Sequence, residues 1–143
     1  MEKYGYQFSF GPWNIHEGAD PFGPNVRPSI GFDEKLKMYA DLGYDQVQFH
    51  DDDAVPELDS LAPAQIRERA RAMYRKIADH GFMAEFVAPR LWEHPMTVDG
   101  GFTANDPKAR AYAIDRAKIA ADIAHELETV SYTHLTLPTN REV

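Results

Sequence analysis

The chain of 143 residues contains no cysteine, which excludes a disulfide framework, a thiolate metal site and a cysteine nucleophile. It has no unbroken apolar run of about 18 residues, the length a membrane-spanning helix needs. Met1-Glu2-Lys3-Tyr4-Gly5-Tyr6 has neither a basic start nor an apolar stretch, so a secretory leader is not expected. Basic residues are in deficit, 15 Lys and Arg against 23 Asp and Glu, for a net charge of −8. Neutralising phosphates requires a basic face, so nucleic acid is not an expected partner. Gly100-Gly101 has neither Walker nor dinucleotide spacing, so no phosphate-cradling loop is evident. What is present is 43% hydrophobic residues, enough for a core. The expectation is a cytoplasmic globular protein without membrane contact.

Strand and helix signals alternate three times. Tyr6-Gln7-Phe8-Ser9-Phe10 has the period-two pattern of a strand. A Gly- and Pro-rich loop follows to about Ser29, and a helix is expected from near Asp33, with Phe32, Leu36, Tyr39 and Leu42 on one face and Gly43 as its cap. Val47 and Phe49 alternate with Gln46 and Gln48 in a second strand, and His50-Asp51-Asp52-Asp53 reads as an acidic loop. The second helix is placed at about Pro63 to Asp79, on the stripe Ile66, Ala70, Met73 and Ile77, ending at Gly81. Phe82 to Ala88 is the third strand, and Pro89 to Asn105 a loop. The third helix is expected after the cap Asn105-Asp106-Pro107, burying Ala113, Ala117, Ala120, Ala124 and Leu127.

This rhythm predicts an α/β fold with parallel strands. Long loops after strands and short turns after helices suit a (β/α)8 TIM barrel, which builds its site at the C-terminal ends of its strands. Such a barrel takes roughly 250 residues, so the expectation is its first three βα units, incomplete. Residues 1–129 are assigned to that part and 130–143 to a non-native tail. Val130-Ser131-Tyr132-Thr133-His134-Leu135-Thr136-Leu137-Pro138-Thr139 resembles the translation of a transposase-type sequencing adaptor; a Thr-rich strand is the alternative.

The chemistry-bearing residues cluster at expected strand ends. His50 beside Asp51, Asp52 and Asp53 is an arrangement a fold would not adopt for stability alone. A histidine held by a carboxylate is a candidate general base near neutral pH; a solvated acidic turn is the other reading. In an extended segment adjacent side chains point to opposite faces, so the four are not expected to ligate one ion. Trp13, after the first strand, is placed to wall the same mouth or to pack in the core. Phe22, at the tip of Asp20-Pro21-Phe22-Gly23, either folds onto its own domain or enters a partner. Trp92 and His94 have the same ambiguity. His16, His80 and His125 show no pairing pattern and are expected at the surface.

Together Phe10-Gly11-Pro12-Trp13, Asp20-Pro21-Phe22-Gly23, Phe49-His50-Asp51-Asp52-Asp53 and Asp99-Gly100-Gly101-Phe102-Thr103-Ala104-Asn105-Asp106 resemble, in order and spacing, four motifs of xylose isomerase. The resemblance spans roughly residues 5–128. It implies a TIM-barrel enzyme, usually a homotetramer, that interconverts D-xylose and D-xylulose with two divalent ions (Mg, Mn or Co). It further implies that His50 contacts the sugar and assists ring opening, and that Asp53 orients His50. Trp13 and Trp92 would form the apolar wall of the pocket, and Phe22 would be inserted by a neighbouring subunit. Trp92 stands where the family usually has Phe, and Ala88-Pro89-Arg90 where many members have Thr-Thr-Asn near the substrate. The family's metal ligands lie on later strands, so residues 1–129 are expected to bind no metal and to be inactive alone. The alternatives are another barrel of the xylose-isomerase-like group, a sugar epimerase or metal-dependent endonuclease, or a non-catalytic interaction module.

Overall fold

Three parallel strands set the frame of the protein. The computed structural model describes residues 8–18 and 24–129. Strand β1 (Ser9–Phe10), β2 (Gln46–His50) and β3 (Met83–Ala88) pair in the order β1-β2-β3. Helix α1 (Phe32–Asp41) joins the first two, and a single turn, α2 (Asp51–Ala54), leaves β2 directly. Helix α3 (Pro63–Asp79) leads to β3, and α4 (Pro107–Glu126) follows it. The mixed α/β architecture with a parallel sheet is as expected. The strand signal at Tyr6 and Gln7, the Phe22 loop tip and the 130–143 tail lie outside the described residues.

The helices form where capping and apolar spacing agree. Pro63 and Pro107 each occupy a first turn, where the missing N–H costs nothing, and Asp106 accepts the Lys108 N–H at 2.9 Å. Gly43 and Gly81 follow α1 and α3 in the left-handed region, at φ 82° and 81°. After α4 the same position belongs to Glu128, at φ 52°, where a residue with a Cβ is strained.

All three long helices lie on one face of the sheet. Val47 and Phe49 of β2 are fully buried there with Phe10 and Val87. Leu36 of α1, Ile66, Ala70 and Ile77 of α3, and Ala120 and Ile123 of α4 complete that core. The alanine stripe of α4 lets this helix approach closely. The opposite face carries Ser9, Gln48 and His50 together with Phe86 and Ala88. A bulge at Glu85 interrupts the register between Val47↔Ala84 and Gln48↔Phe86. It brings the Glu85 carboxylate against Gln48 Nε2 (2.8 Å) and the Ser9 hydroxyl, so one hydrogen-bonded row crosses all three strands. Among the described residues no helix is long and apolar enough to cross a membrane.

One expectation is corrected. The acidic segment after His50 is not a loop in extended form but the helical turn α2. Its N–H groups favour carboxylates: the Asp53 side chain accepts from the His50 backbone N–H at 3.1 Å, and that of Asp51 from the Asp52 N–H at 3.0 Å. The three aspartates therefore diverge by helical rotation and not by strand alternation.

Candidate active site

His50 is the last residue of β2, and α2 turns Asp53 back beneath it. His50 Nδ1 lies 2.9 Å from Asp53 Oδ2. The ring sits between two indoles. Trp13, on the 3-10 turn Pro12–Asn14, approaches with ring centroids 4.4 Å apart, and Trp92 meets it edge-on at 4.8 Å. Gly11 makes the first approach possible, because a Cβ at this position would overlap the Trp13 ring. Lys35 Nζ holds the same turn through the Pro12 carbonyl at 3.1 Å. The Thr97 hydroxyl bonds the Leu91 carbonyl and pins the loop that carries Trp92.

Two arginines reconcile the crowded carboxylates. Arg90, just beyond β3, donates Nε to Asp52 Oδ1 at 2.8 Å, Nη2 to Asp53 Oδ1 at 2.7 Å and Nη1 to Glu93 at 3.3 Å. Its backbone N–H donates to Asp51 Oδ1 at 3.0 Å, and its guanidinium lies 5.7 Å from the centre of the Trp92 ring. Arg116, from α4, grips the fully buried Asp51 through Nε and Nη2, and donates Nη1 to Asp59 at 3.0 Å and to the Tyr112 hydroxyl at 3.1 Å. A cavity of about 260 Å³ opens between the two guanidinium groups, lined by Asp52, Asp59, Glu93 and His94.

Burial alone would raise the pKa of Asp53, but hydrogen bonds from the His50 ring and backbone, with the Arg90 charge, outweigh it and hold the carboxyl below its ordinary value. Burial would likewise lower Arg116, yet Asp51 and Asp59 raise it above the ordinary arginine value. Asp53 is thus a carboxylate at neutral pH, and its Oδ2 and the Arg90 Nη2 both lie within hydrogen-bond reach of His50 Nδ1, at 2.9 and 3.0 Å. Nε2 makes no hydrogen bond among the described residues, and the arrangement suits a base that acts through that atom.

The structure brings together Trp13, His50, Asp53 and Trp92. His94 is set apart from them, stacked on Tyr112 with centroids 4.4 Å apart. Arg116 and Asp59 escaped the sequence reading, and Arg90 was visible only as a departure from the Thr-Thr-Asn pattern. The signal that could have found both arginines is the charge imbalance at Asp51-Asp52-Asp53: a buried strand end with three carboxylates requires cations. Among the described residues, no three His, Asp or Glu side chains are grouped to hold a metal ion. Asp51, Asp52 and Asp53 are committed to arginine, so the described residues do not fit a two-metal centre. No protein-family model matches the chain.

Proposed function

We propose that this chain carries the sugar-opening half of an aldose–ketose isomerase barrel. The particular enzyme is a xylose isomerase, of which residues 1–129 supply the first three βα units. Support for the barrel comes from the winding: strands in sequential order, with every long helix of the described residues on one face of the sheet. The observation that carries the activity is the 2.9 Å His50–Asp53 pair at a strand end between two indoles.

Opening a cyclic aldose moves one proton from the anomeric O1 to O5 while the C1–O5 bond breaks and C1=O1 forms. His50 Nε2 accepts the O1 proton and returns it to O5, which leaves with the C1–O5 electron pair. Asp53 stabilises the imidazolium between these transfers, and the indoles exclude water from the apolar side of the sugar. The hydride shift that follows would draw its charge stabilisation from two divalent ions held by residues outside 1–129. On this proposal their ligands belong to later strands of the complete barrel, and Phe22 serves a neighbouring subunit of a tetramer.

The test joins residues 1–129 to the remaining strands of a full-length xylose isomerase and measures D-xylulose formed from D-xylose with Mg, Mn or Co. The proposal expects turnover, reduced about 10²- to 10⁴-fold by His50→Ala. A folded, metal-loaded chimera without turnover, or turnover indifferent to His50→Ala, refutes it.

A further inference from the structure

His94 lies outside the His50 cluster, yet its ring closes the loop that carries Trp92. Its Nδ1 accepts the Met96 backbone N–H at 3.1 Å and so caps the 3-10 turn Pro95–Thr97. That turn holds the wall of the site. The hydroxyl of the buried Thr97 bonds the carbonyls of Leu91 and His94, and the Thr97 N–H donates to the His94 carbonyl at 2.9 Å. Trp92 follows Leu91 directly and meets the His50 ring.

A neutral imidazole has one N–H and one acceptor nitrogen. Because Nδ1 accepts, the proton of neutral His94 is on Nε2, which lies 4.0 Å from Asp59 Oδ2. The charged and titratable groups around the ring come from several elements. Asp59 belongs to the 3-10 turn Leu58–Ser60. Tyr112 of α4 stacks on the ring, and Arg116, one helical turn further, holds Asp59 through Nη1 at 3.0 Å. Asp52 of α2, Glu57, Arg90 and Glu93 line the cavity that the ring shares with Asp59.

A second proton can enter this ring only at Nδ1. It turns the acceptor of the cap into a donor that faces the Met96 N–H, and two N–H groups cannot bond each other. The new charge is drawn toward Asp59, on the side of the ring away from the cap. The turn then keeps only its bonds to the Leu91 and His94 carbonyls.

We propose that His94 is a proton-sensitive clasp. Neutral, it closes the Pro95–Thr97 turn and steadies the Trp92 wall of the site; protonated, it releases the turn and loosens that wall. The bearing of the clasp on sugar binding rests on the isomerase reading above. The clasp itself is a property of the 143-residue chain and can be measured without any activity.

The experiment follows the intact chain by ¹H–¹⁵N NMR from about pH 8 to about pH 5, the span in which a histidine changes charge. Two-bond correlations of the ring should show neutral His94 in the Nε2–H form alone. As the ring gains its second proton, hydrogen-exchange protection of the Met96 amide should fall about 3- to 10-fold, the equivalent of one lost cap. The Trp92 indole N–H signal should shift with the same midpoint. Asparagine caps a turn without titrating, so His94→Asn should keep Met96 protected throughout and remove that component of the Trp92 shift, leaving only the component that His50 contributes. Neutral His94 in the Nδ1–H form overturns the proposal on the wild type alone, whether or not the variant folds. Met96 protection that ignores the His94 titration, or that falls equally in His94→Asn, also overturns it. A Trp92 signal indifferent to His94 while Met96 responds overturns the link to the site wall. Turnover by the chimera decides the isomerase reading, and none of these spectra depends on it.

Discussion

Replacing Arg116 by methionine tests the charge economy beneath the site. Asp51 is fully buried, and among the described residues Arg116 is the only cation whose side chain reaches it. In Arg116→Met the carboxylate keeps the backbone N–H groups of Asp52 and Arg90, both at 3.0 Å and both on Oδ1. Oδ2 is left with no partner in a site closed to water. Breaking a buried pair in this way costs about 3–5 kcal/mol. Whole-domain stability is only about 5–15 kcal/mol, so this change approaches the limit of folding. A urea titration followed by far-ultraviolet circular dichroism measures it. With a slope of about 2 kcal/mol per molar, the midpoint should fall by about 1.5–2.5 M. Asp51→Asn in the same background removes the stranded charge and should recover part of the loss, with a coupling of about 1–3 kcal/mol. A midpoint shift below about 0.5 M for Arg116→Met, or strict additivity of the two changes, would refute the reasoning.

Other outcomes follow from the same contacts. Because the folded pKa of Asp53 lies below its unfolded value, its contribution to stability is complete above the unfolded carboxylate range near about pH 4 and is lost as pH falls through the folded value; Asp53→Asn should flatten that part of an acid denaturation curve. Glu128→Gly removes the left-handed strain after α4 and should stabilise the chain by about 1 kcal/mol in thermal denaturation, less whatever the 3.0 Å Tyr74 hydroxyl contact contributes. Gly11→Ala forces the Trp13 ring away from His50 and, in a Trp92→Phe background, should change the pH dependence of Trp13 fluorescence that protonated His50 quenches. The 143-residue chain alone should form no D-xylulose with added Mg, Mn or Co, as measured by ketose assay, since Asp51, Asp52 and Asp53 are held by arginine and not free for a metal.

Local chemistry made the scaffold legible. Gly43 and Gly81 end their helices for a reason visible in any sequence, the low cost of a left-handed residue without a Cβ. Pro63 and Asp106-Pro107 start theirs by equally local rules. The strand-end residues Trp13, His50 and Trp92 met because a parallel sheet brings the ends of successive strands to one edge. The α2 turn was missed for the opposite reason. Three adjacent aspartates favour an open loop when judged by their neighbours alone. They form a turn because Arg90 and Arg116, 37 and 65 residues away from Asp53 and Asp51, cancel their repulsion. A pairing of that separation depends on the register of β3 and the placement of α4, which no local pattern reports.

The central claim is that His50 serves ring opening and not the later shift of hydride. D-glyceraldehyde is too short to close a stable sugar ring, so it needs isomerisation without opening. The direct measurement is the ratio of D-xylose to D-glyceraldehyde turnover in the chimeric enzyme, before and after His50→Ala. The account predicts that xylose turnover falls about 10²- to 10⁴-fold while glyceraldehyde turnover stays within a few-fold of its starting value. An equal fall for both substrates would contradict it.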